Sequence, residues 1–126
     1  MIHDRHFTAE EANALLSRLE DVLGELREAR DQLTDAELHE ALAGAAPGNG
    51  GGEPGREVGE AFLAVRRLLL GLEEAGVVVR DIDRGLVDFP AVLDGQEIYL
   101  CWQSGEDQVA FWHDLEGGFA GRQPLE

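Results

Sequence analysis

The chain has 126 residues, 44% of them hydrophobic, and its 26 acidic side chains face 10 arginines and no lysine, for a formal net charge of −16. This length predicts one domain over residues 1–126. The charge excludes nucleic acids and anionic membrane surfaces as partners, because proteins bind both through clustered Lys and Arg. No apolar run approaches the roughly 18 residues of a membrane span, and no secretory signal is expected. Cys101 is the single cysteine, which predicts a cytoplasmic protein without disulfides.

Residues 1–43 are predicted to be helical. Thr8 and Glu11 form a capping-box signature, in which each side chain accepts a hydrogen bond from the backbone N–H of the other residue. Beyond it, apolar residues recur at alternating spacings of four and three, at Leu15, Leu19, Val22, Leu26, Ala29, Leu33 and Ala36. This spacing is typical of a coiled-coil seam and predicts a long helix with one buried stripe.

A second helix is predicted over residues 56–76, after a loop rich in Gly and Pro at 44–55. Gly76 is the expected left-handed stop of this helix. The apolar spacing of four and three recurs in it at Val58, Phe62, Val65, Leu69 and Leu72. Two helices with matching stripes and a flexible connection should fold back as a long antiparallel hairpin.

The apolar period changes to two after residue 77, which predicts a β region and a C-terminal tail over 77–126. Strands are expected at 77–82, 86–89, 96–103 and 108–113, with residues 104–107 as a hairpin loop. That loop sets a register with the opposed pairs Ile98–His113, Leu100–Phe111, Tyr99–Trp112 and Cys101–Ala110. The predicted fold class is α+β, a long antiparallel helical hairpin followed by a small antiparallel sheet of three to four strands that packs on it.

Several segments of the β region resemble one family of small prokaryotic proteins. The resemblance lies in residues 79–90, 99–102, 105–106, 111–113 and 118–125, and in the Phe7-Thr8 start before the leucine-rich helix. The family is catalogued as domain of unknown function 2203. The resemblance covers essentially the whole chain and implies neither an activity nor catalytic residues.

His113, at the end of the last predicted strand, is the first candidate for chemistry. Its structural interpretation is a buried histidine bonded to a backbone carbonyl or an aspartate. Its functional interpretation is a site shared with Asp81, Asp83 and Asp88, because one His with two or three carboxylates suits a divalent transition metal as cofactor. The sequence has no HxH, HxxxH or HExxH pair to support zinc, and aspartates beside a glycine are also typical of turns.

Three further residues enter as candidates. Arg122 follows a run of glycines, so it could hold an anion together with backbone N–H groups, or pair with one of the chain's own acids. Tyr99 and Trp112, opposed on the second sheet face, are candidates for an interface, a ligand platform or a surface covered by the tail. In the predicted register Cys101 and His113 lie on opposite faces, which predicts an inert, packed thiol.

Two functional hypotheses follow. In the first, the chain is a non-enzymatic interaction protein that forms a homodimer through its helical hairpin, because the heptad stripes exceed what one hairpin buries. In the second, it is a small metal- or anion-dependent enzyme or ligand-binding protein, with its site around His113 and the three aspartates. Convergence of these side chains on one pocket would favour the second hypothesis.

Overall fold

The fold is α+β, with helices followed by an antiparallel sheet, as the sequence predicts. The computed structural model describes residues 1–43 and 56–125. The predicted loop at 44–55 lies outside the described residues.

Four helices form the first half of the described chain: α1 (Ala9–Asn13), α2 (Leu16–Asp31), α3 (Asp35–Ala43) and α4 (Arg56–Glu74). The capping box is confirmed, because the Glu11 N–H donates to Thr8 Oγ1 at 3.0 Å and the Thr8 N–H donates to Glu11 Oε1 at 2.9 Å. The single helix predicted within residues 1–43 is wrong. The second break has a local cause, since Thr34 and Glu37 form another capping box that starts α3.

The helices α2 and α4 pack against each other in antiparallel directions. Leu19, near the start of α2, shares a core cluster with Leu72 at the end of α4. Ala29, near the end of α2, shares another with Ala61 near the start of α4. The helix α4 stops where expected, with Gly76 at φ 85°, a conformation that glycine adopts without strain.

Five antiparallel strands form the sheet in the order β1-β2-β3-β4-β5. They are β1 (Val78–Asp81), β2 (Leu86–Leu93), β3 (Gln96–Gln103), β4 (Phe111–Asp114) and β5 (Gln123–Pro124). The prediction of three to four strands missed β5, which is too short to show an alternating pattern. It also ended β2 before Pro90. Proline is tolerated there because β1 pairs with β2 no further than Asp88, so the strand is an edge from that point on.

The predicted register between β3 and β4 is wrong by one residue. His113 lies opposite Tyr99 and Trp112 opposite Leu100. A shift of one residue exchanges the two faces of a strand, so His113 shares a face with Tyr99 and Cys101, and Trp112 lies on the other face. The predicted pairing of Tyr99 with Trp112 is therefore also wrong.

One face of the sheet packs on α1, α2 and the end of α4. Its buried side chains include Val87, Phe89, Ile98, Leu100 and Trp102. A second core cluster lies farther along the hairpin, between α2, α3 and α4. Among the described residues, none of the helices combines the length and apolar character that crossing a bilayer requires. The other sheet face carries the polar groups described next.

Candidate functional site

The polar face of the sheet has three chemically distinct side chains at its centre, contributed by three neighbouring strands. Asp88 of β2 lies directly opposite Cys101 of β3, and His113 of β4 lies opposite Tyr99, two residues before Cys101. Asp88 and His113 are each 2% exposed and Cys101 is 0% exposed. The carboxylate oxygen, the thiol sulfur and the ring nitrogen that these residues offer all lie within 4.8 Å of one another.

Asp88 accepts hydrogen bonds from two cationic or potentially cationic partners. Arg80 Nε donates to Asp88 Oδ2 at 2.8 Å, and His113 Nε2 lies 3.0 Å from Asp88 Oδ1. A buried carboxylate is costly unless it is paired and hydrogen-bonded, and these contacts meet that requirement. Burial of Arg80 would lower its pKa, but the hydrogen bond and charge of Asp88 raise it above its ordinary value.

The ring of His113 is oriented by its second nitrogen. Nδ1 lies 2.6 Å from the Asp114 carbonyl oxygen, which can only accept, so Nδ1 carries a proton and donates it. The other ring nitrogen, Nε2, faces the carboxylate of Asp88. An ionised carboxylate can only accept, so when Asp88 is ionised a second proton must lie between Nε2 and Oδ1. The interpretation of His113 as a buried histidine bonded to both a carbonyl and an aspartate agrees with this geometry.

The surroundings of Cys101 disfavour ionisation of its thiol. Burial raises the pKa of Cys101 to about 12, and the negative charge of Asp88 acts in the same direction. A thiol with this pKa stays protonated at neutral pH and is a poor nucleophile. Cys101 therefore has no Cys–His nucleophile chemistry in this state, although it shares a face with His113.

The N-terminal segment covers one end of the polar face. His3 Nε2 lies 2.7 Å from Tyr99 Oη, and the His3 ring packs edge-on against the Tyr99 ring. The centroid of the Tyr99 ring in turn lies 5.5 Å from that of the His113 ring, and the Arg80 guanidinium lies 5.0 Å from the Tyr99 centroid. Tyr99 is 4% exposed and connects the N-terminal segment to the central cluster.

A pocket of about 320 Å³ opens beside Asp88 and His113. Charged groups of Arg80 and Glu116 reach it, and its apolar wall is formed by Leu86, Leu115 and Phe119. The C-terminal segment therefore shapes the other end of the polar face. A concave, partly apolar site with a few convergent polar groups is the usual form of a small-molecule site.

The structure brings together His113 and Asp88 but not the other sequence candidates. Asp81 Oδ1 accepts from the Arg84 N–H at 3.1 Å, which is the turn expected from its sequence. Asp83 pairs with Arg30 at 2.6 Å. These two contacts hold the β1–β2 turn and connect it to α2.

Arg122 and Trp112 also lie outside the central cluster. Arg122 Nη2 donates to Glu106 Oε2 at 2.6 Å, and its guanidinium stacks over Phe111 at 3.8 Å. It thus pairs with one of the chain's own acids. Trp112 is half-buried against the apolar core.

Two residues near the centre of the polar face, Cys101 and Arg80, were not predicted from the sequence to belong to a site. The predicted register placed His113 on the face opposite Cys101, so Cys101 was not linked to it, and Arg80 was not among the candidates. The register depends on contacts remote in sequence, such as the Val109 N–H that donates to Asn13 Oδ1 at 2.6 Å. No local pattern signals that bond.

A family model described as "Uncharacterized conserved protein (DUF2203)" matches residues 5–125. A search of curated proteins and a search of solved structures found no match. The match includes all of β1 to β5 and the three central residues of the polar face. The chain therefore belongs to the DUF2203 family of uncharacterized conserved proteins.

Proposed function

We propose that the chain binds a divalent transition metal through Asp88, Cys101 and His113. The observation that carries this proposal is the approach of their three donor atoms to within 4.8 Å of one another in a buried site. Donors to one ion lie less than about 4.6 Å apart, because each is about 2.0–2.3 Å from the ion, so the three side chains would have to close in only slightly to bind it. The sequence hypothesis of a metal site on His113 and Asp88 is kept, with Cys101 in place of Asp81 and Asp83.

The donor types narrow the class of metal. A sulfur, an imidazole nitrogen and a carboxylate oxygen suit zinc and similar borderline-soft ions, whereas calcium and magnesium prefer oxygen alone. Two of the donors are anions when they bind a metal, so they would neutralise a divalent ion. The ion would replace two protons, the one between His113 Nε2 and Asp88 Oδ1 and the thiol proton of Cys101.

The contacts of His113 and Asp88 support the proposal. Metal-binding histidines commonly donate their second ring N–H to a carbonyl or carboxylate, which fixes the ring. His113 does so through Nδ1 to the Asp114 carbonyl. Asp88 can keep Arg80 on Oδ2 while Oδ1 binds the metal. These contacts support the proposal because they aim Nε2 and Oδ1 at the same point.

Three protein ligands leave a coordination position for a small molecule or water, as in catalytic zinc sites. The pocket of about 320 Å³ borders two of the three ligands. We therefore infer that the function is metal-dependent binding of a small ligand, with hydrolytic chemistry as the reaction class that a zinc-bound water would support.

Cobalt(II) titration of the metal-free protein tests this proposal. We expect one ion per chain and a sulfur-to-cobalt charge-transfer absorption, because Cys101 must ligate as a thiolate. Cys101→Ser should remove that absorption, and His113→Gln should lower the affinity by at least about ten-fold. His39→Gln changes an exposed histidine of α3 and is the matched control, which should bind as the unchanged protein does.

Retention of the absorption in Cys101→Ser, or equal cobalt affinity in His113→Gln and His39→Gln, would contradict the metal site. Circular dichroism must first show that each variant is folded, because Asp88 loses a buried partner when His113 is changed. Cys101→Ser preserves side-chain size and is the variant least affected by this complication.

A second candidate function is self-association through the helical hairpin. Leu63 and Leu70 lie seven residues apart on one side of α4 and are 55% and 54% exposed. Paired apolar side chains on one helix face are typical of a helix–helix contact.

We also propose, from charge and cysteine content, that the protein acts in the cytoplasm without a nucleic-acid partner.

Sedimentation equilibrium at micromolar concentration tests self-association. We expect a dimer that Leu63→Glu with Leu70→Glu converts to a monomer. Leu42→Glu changes a leucine of α3 that is 51% exposed and should leave the dimer intact. A monomer in the unchanged protein would end this hypothesis without affecting the metal proposal.

A further inference from the structure

An apolar groove of about 510 Å³ lies between the first half of α2 and the last half of α4. We call it the hairpin groove. Its apolar lining includes Leu15, Leu19, Val22, Leu68, Leu70 and Leu72. It lies on the helical layer, whereas the metal-site proposal concerns the polar face of the sheet.

The charged residues on the hairpin groove are Arg18, Arg67 and Glu74. The other arginines with described side chains are mostly engaged. Arg27 donates to a backbone carbonyl, Arg30, Arg80 and Arg122 pair with acids, and Arg5 and Arg84 stack on rings.

Arg18, Arg66 and Arg67 are different. Within residues 1–43 and 56–125, their side chains form no ion pair, hydrogen bond or ring contact. Two of these three arginines line the same apolar groove. In a chain with 26 acidic residues, two uncommitted guanidinium groups beside one groove indicate a site for an external anion with an apolar body.

We propose that the hairpin groove binds a straight-chain alkyl carboxylate, with the hydrocarbon on the leucine-rich floor and the carboxylate at Arg18 and Arg67. Guanidinium groups bind carboxylates through paired N–H donors. The three charged residues that line the groove, Arg18, Arg67 and Glu74, have a net charge of +1. That balance favours an anionic head over a neutral or cationic one.

The size of the groove favours a small molecule over a second copy of the chain. Its volume falls within the range of about 300–1,000 Å³ that small-ligand sites occupy. A stable protein interface buries about 800 Å² on each partner, and Leu63, the most exposed leucine of α4, does not line the groove. Leu70 lines the groove and Leu63 does not, so the self-association surface proposed above shares only its Leu70 end with the groove.

Isothermal titration calorimetry with octanoate, decanoate and dodecanoate below their micelle concentrations tests the proposal. Affinity should rise about four-fold for each methylene buried, until the groove is filled. Dodecanoate should bind at least about ten-fold more tightly than dodecanol, because hydrogen bonds to charged groups are the stronger ones. Equal affinity for the acid and the alcohol would overturn the assignment of the head group.

Arginine variants locate the carboxylate. Arg18→Gln combined with Arg67→Gln should remove the preference for dodecanoate over dodecanol. Arg66→Gln removes the same charge from the neighbouring position of α4, outside the groove, and should keep the preference. If the double variant and Arg66→Gln behave alike, the two groove arginines do not hold the ligand.

Glycine variants locate the hydrocarbon without removing a charge. A Cβ atom at Gly71, on the groove, or at Gly59, elsewhere on α4, meets no atom within 4 Å. Gly71→Phe should therefore fold and block dodecanoate, whereas Gly59→Phe should fold and bind it. Unchanged binding in Gly71→Phe would overturn the proposal. So would sedimentation showing a dimer that Gly71→Phe dissociates, since a second copy would then occupy the groove.

Discussion

Glu97 holds the N-terminal segment to the sheet with three hydrogen bonds. Its carboxylate accepts from the Ile2 N–H at 2.8 Å, the His3 N–H at 3.0 Å and His6 Nε2 at 2.8 Å. Removal from solvent would raise the pKa of Glu97, but the bonds from His6 and the two backbone N–H groups outweigh it and lower the pKa to about 2. The segment that covers Tyr99 is thus held by an ionised carboxylate.

The first prediction is that this carboxylate stabilises the fold at neutral pH and ceases to do so in acid. Because the folded pKa of about 2 is below the ordinary value of 4.5, the stabilisation is present above about pH 4.5 and disappears as the pH falls toward 2. Glu97→Gln should lower the free energy of unfolding at pH 7, and the difference should shrink through that window. Urea unfolding at several pH values measures it. A difference that stays constant down to pH 2 would contradict the assignment.

Gly85 is a residue whose replacement should be costly. It has φ 65°, and an added Cβ would lie 2.3 Å from the Ser104 Cβ and 3.0 Å from Arg27 Nη2. Gly85→Ala should destabilise the protein by about 2–4 kcal/mol, from the left-handed backbone and the overlap together. Gly95→Ala is the matched control, with φ 81° and no atom within 4 Å of the added Cβ. It should cost about 1 kcal/mol. Equal losses in thermal unfolding would mean that the contact with Ser104 relaxes.

The chemistry of His113 could be predicted in part. Its position after an apolar strand and the nearby aspartates indicated a buried histidine bonded to a carbonyl or an aspartate, and the structure has both bonds. The sequence could not select Asp88 over Asp81 and Asp83. All three aspartates lie in the β1–β2 region. Which of them reaches His113 depends on the order of the strands in the sheet and on the face to which each side chain points.

The β3–β4 connection shows why the site was only partly predictable. Residues 104–107 have the composition of a short hairpin loop, yet the connection extends over residues 104–110. The Glu106 N–H donates to the Gln103 carbonyl, and its side chain accepts from the Gln103 N–H at 2.8 Å. The turn thus closes on Gln103, and Val109 then bonds to Asn13 of α1. A bond to a remote helix sets the face on which His113 lies.

The helices were more predictable than their breaks. The spacing of apolar residues predicted α2, α4 and their antiparallel packing, because one buried stripe repeats over many turns. The start of α3 was missed although Thr34 and Glu37 have capping-box spacing, since the apolar repeat continues through Leu33 and Ala36. In this chain a local cap ends a helix that the longer pattern would continue.

The two capping boxes provide a prediction for the elements that they start. Thr8 begins α1, whose Ala12 is 0% exposed in the main core, whereas Thr34 begins α3, which packs mainly on α4. Thr8→Ala should lower the free energy of global unfolding by about 1 kcal/mol. Thr34→Ala should lower it by less than about 0.5 kcal/mol, because α3 can open locally. Urea unfolding gives the global values, and hydrogen exchange in α3 reports the local opening. Equal global losses would mean that α3 and α1 open together.

At the scale of the whole molecule, α2 connects the two hydrophobic clusters. Val22 packs against both, with Leu23 in the cluster on the sheet and Leu26 in the cluster of the distal hairpin. The polar face lies on the opposite side of the sheet, between the N-terminal and C-terminal segments. The proposed metal site is therefore assembled from three strands, while the hairpin groove belongs to the helices. The two proposals can be tested independently for this reason.

The net charge of −16 gives the last prediction. Like charges repel more strongly in the compact state than in the expanded one, and salt screens them. Raising sodium chloride from about 10 to about 150 mM shortens the Debye length from about 30 to about 8 Å, so Tm at pH 7 should rise. Each kcal/mol by which salt reduces the charge repulsion in the folded state should raise Tm by about 3–5 °C for a domain of this size. At pH 4.4, the pI of the sequence, the repulsion vanishes and the same salt change should leave Tm unchanged. Calorimetry at both pH values makes the comparison, with pH 4.4 as the control for salt effects unrelated to net charge. Equal increases at the two pH values would show that self-repulsion does not limit the stability of this fold.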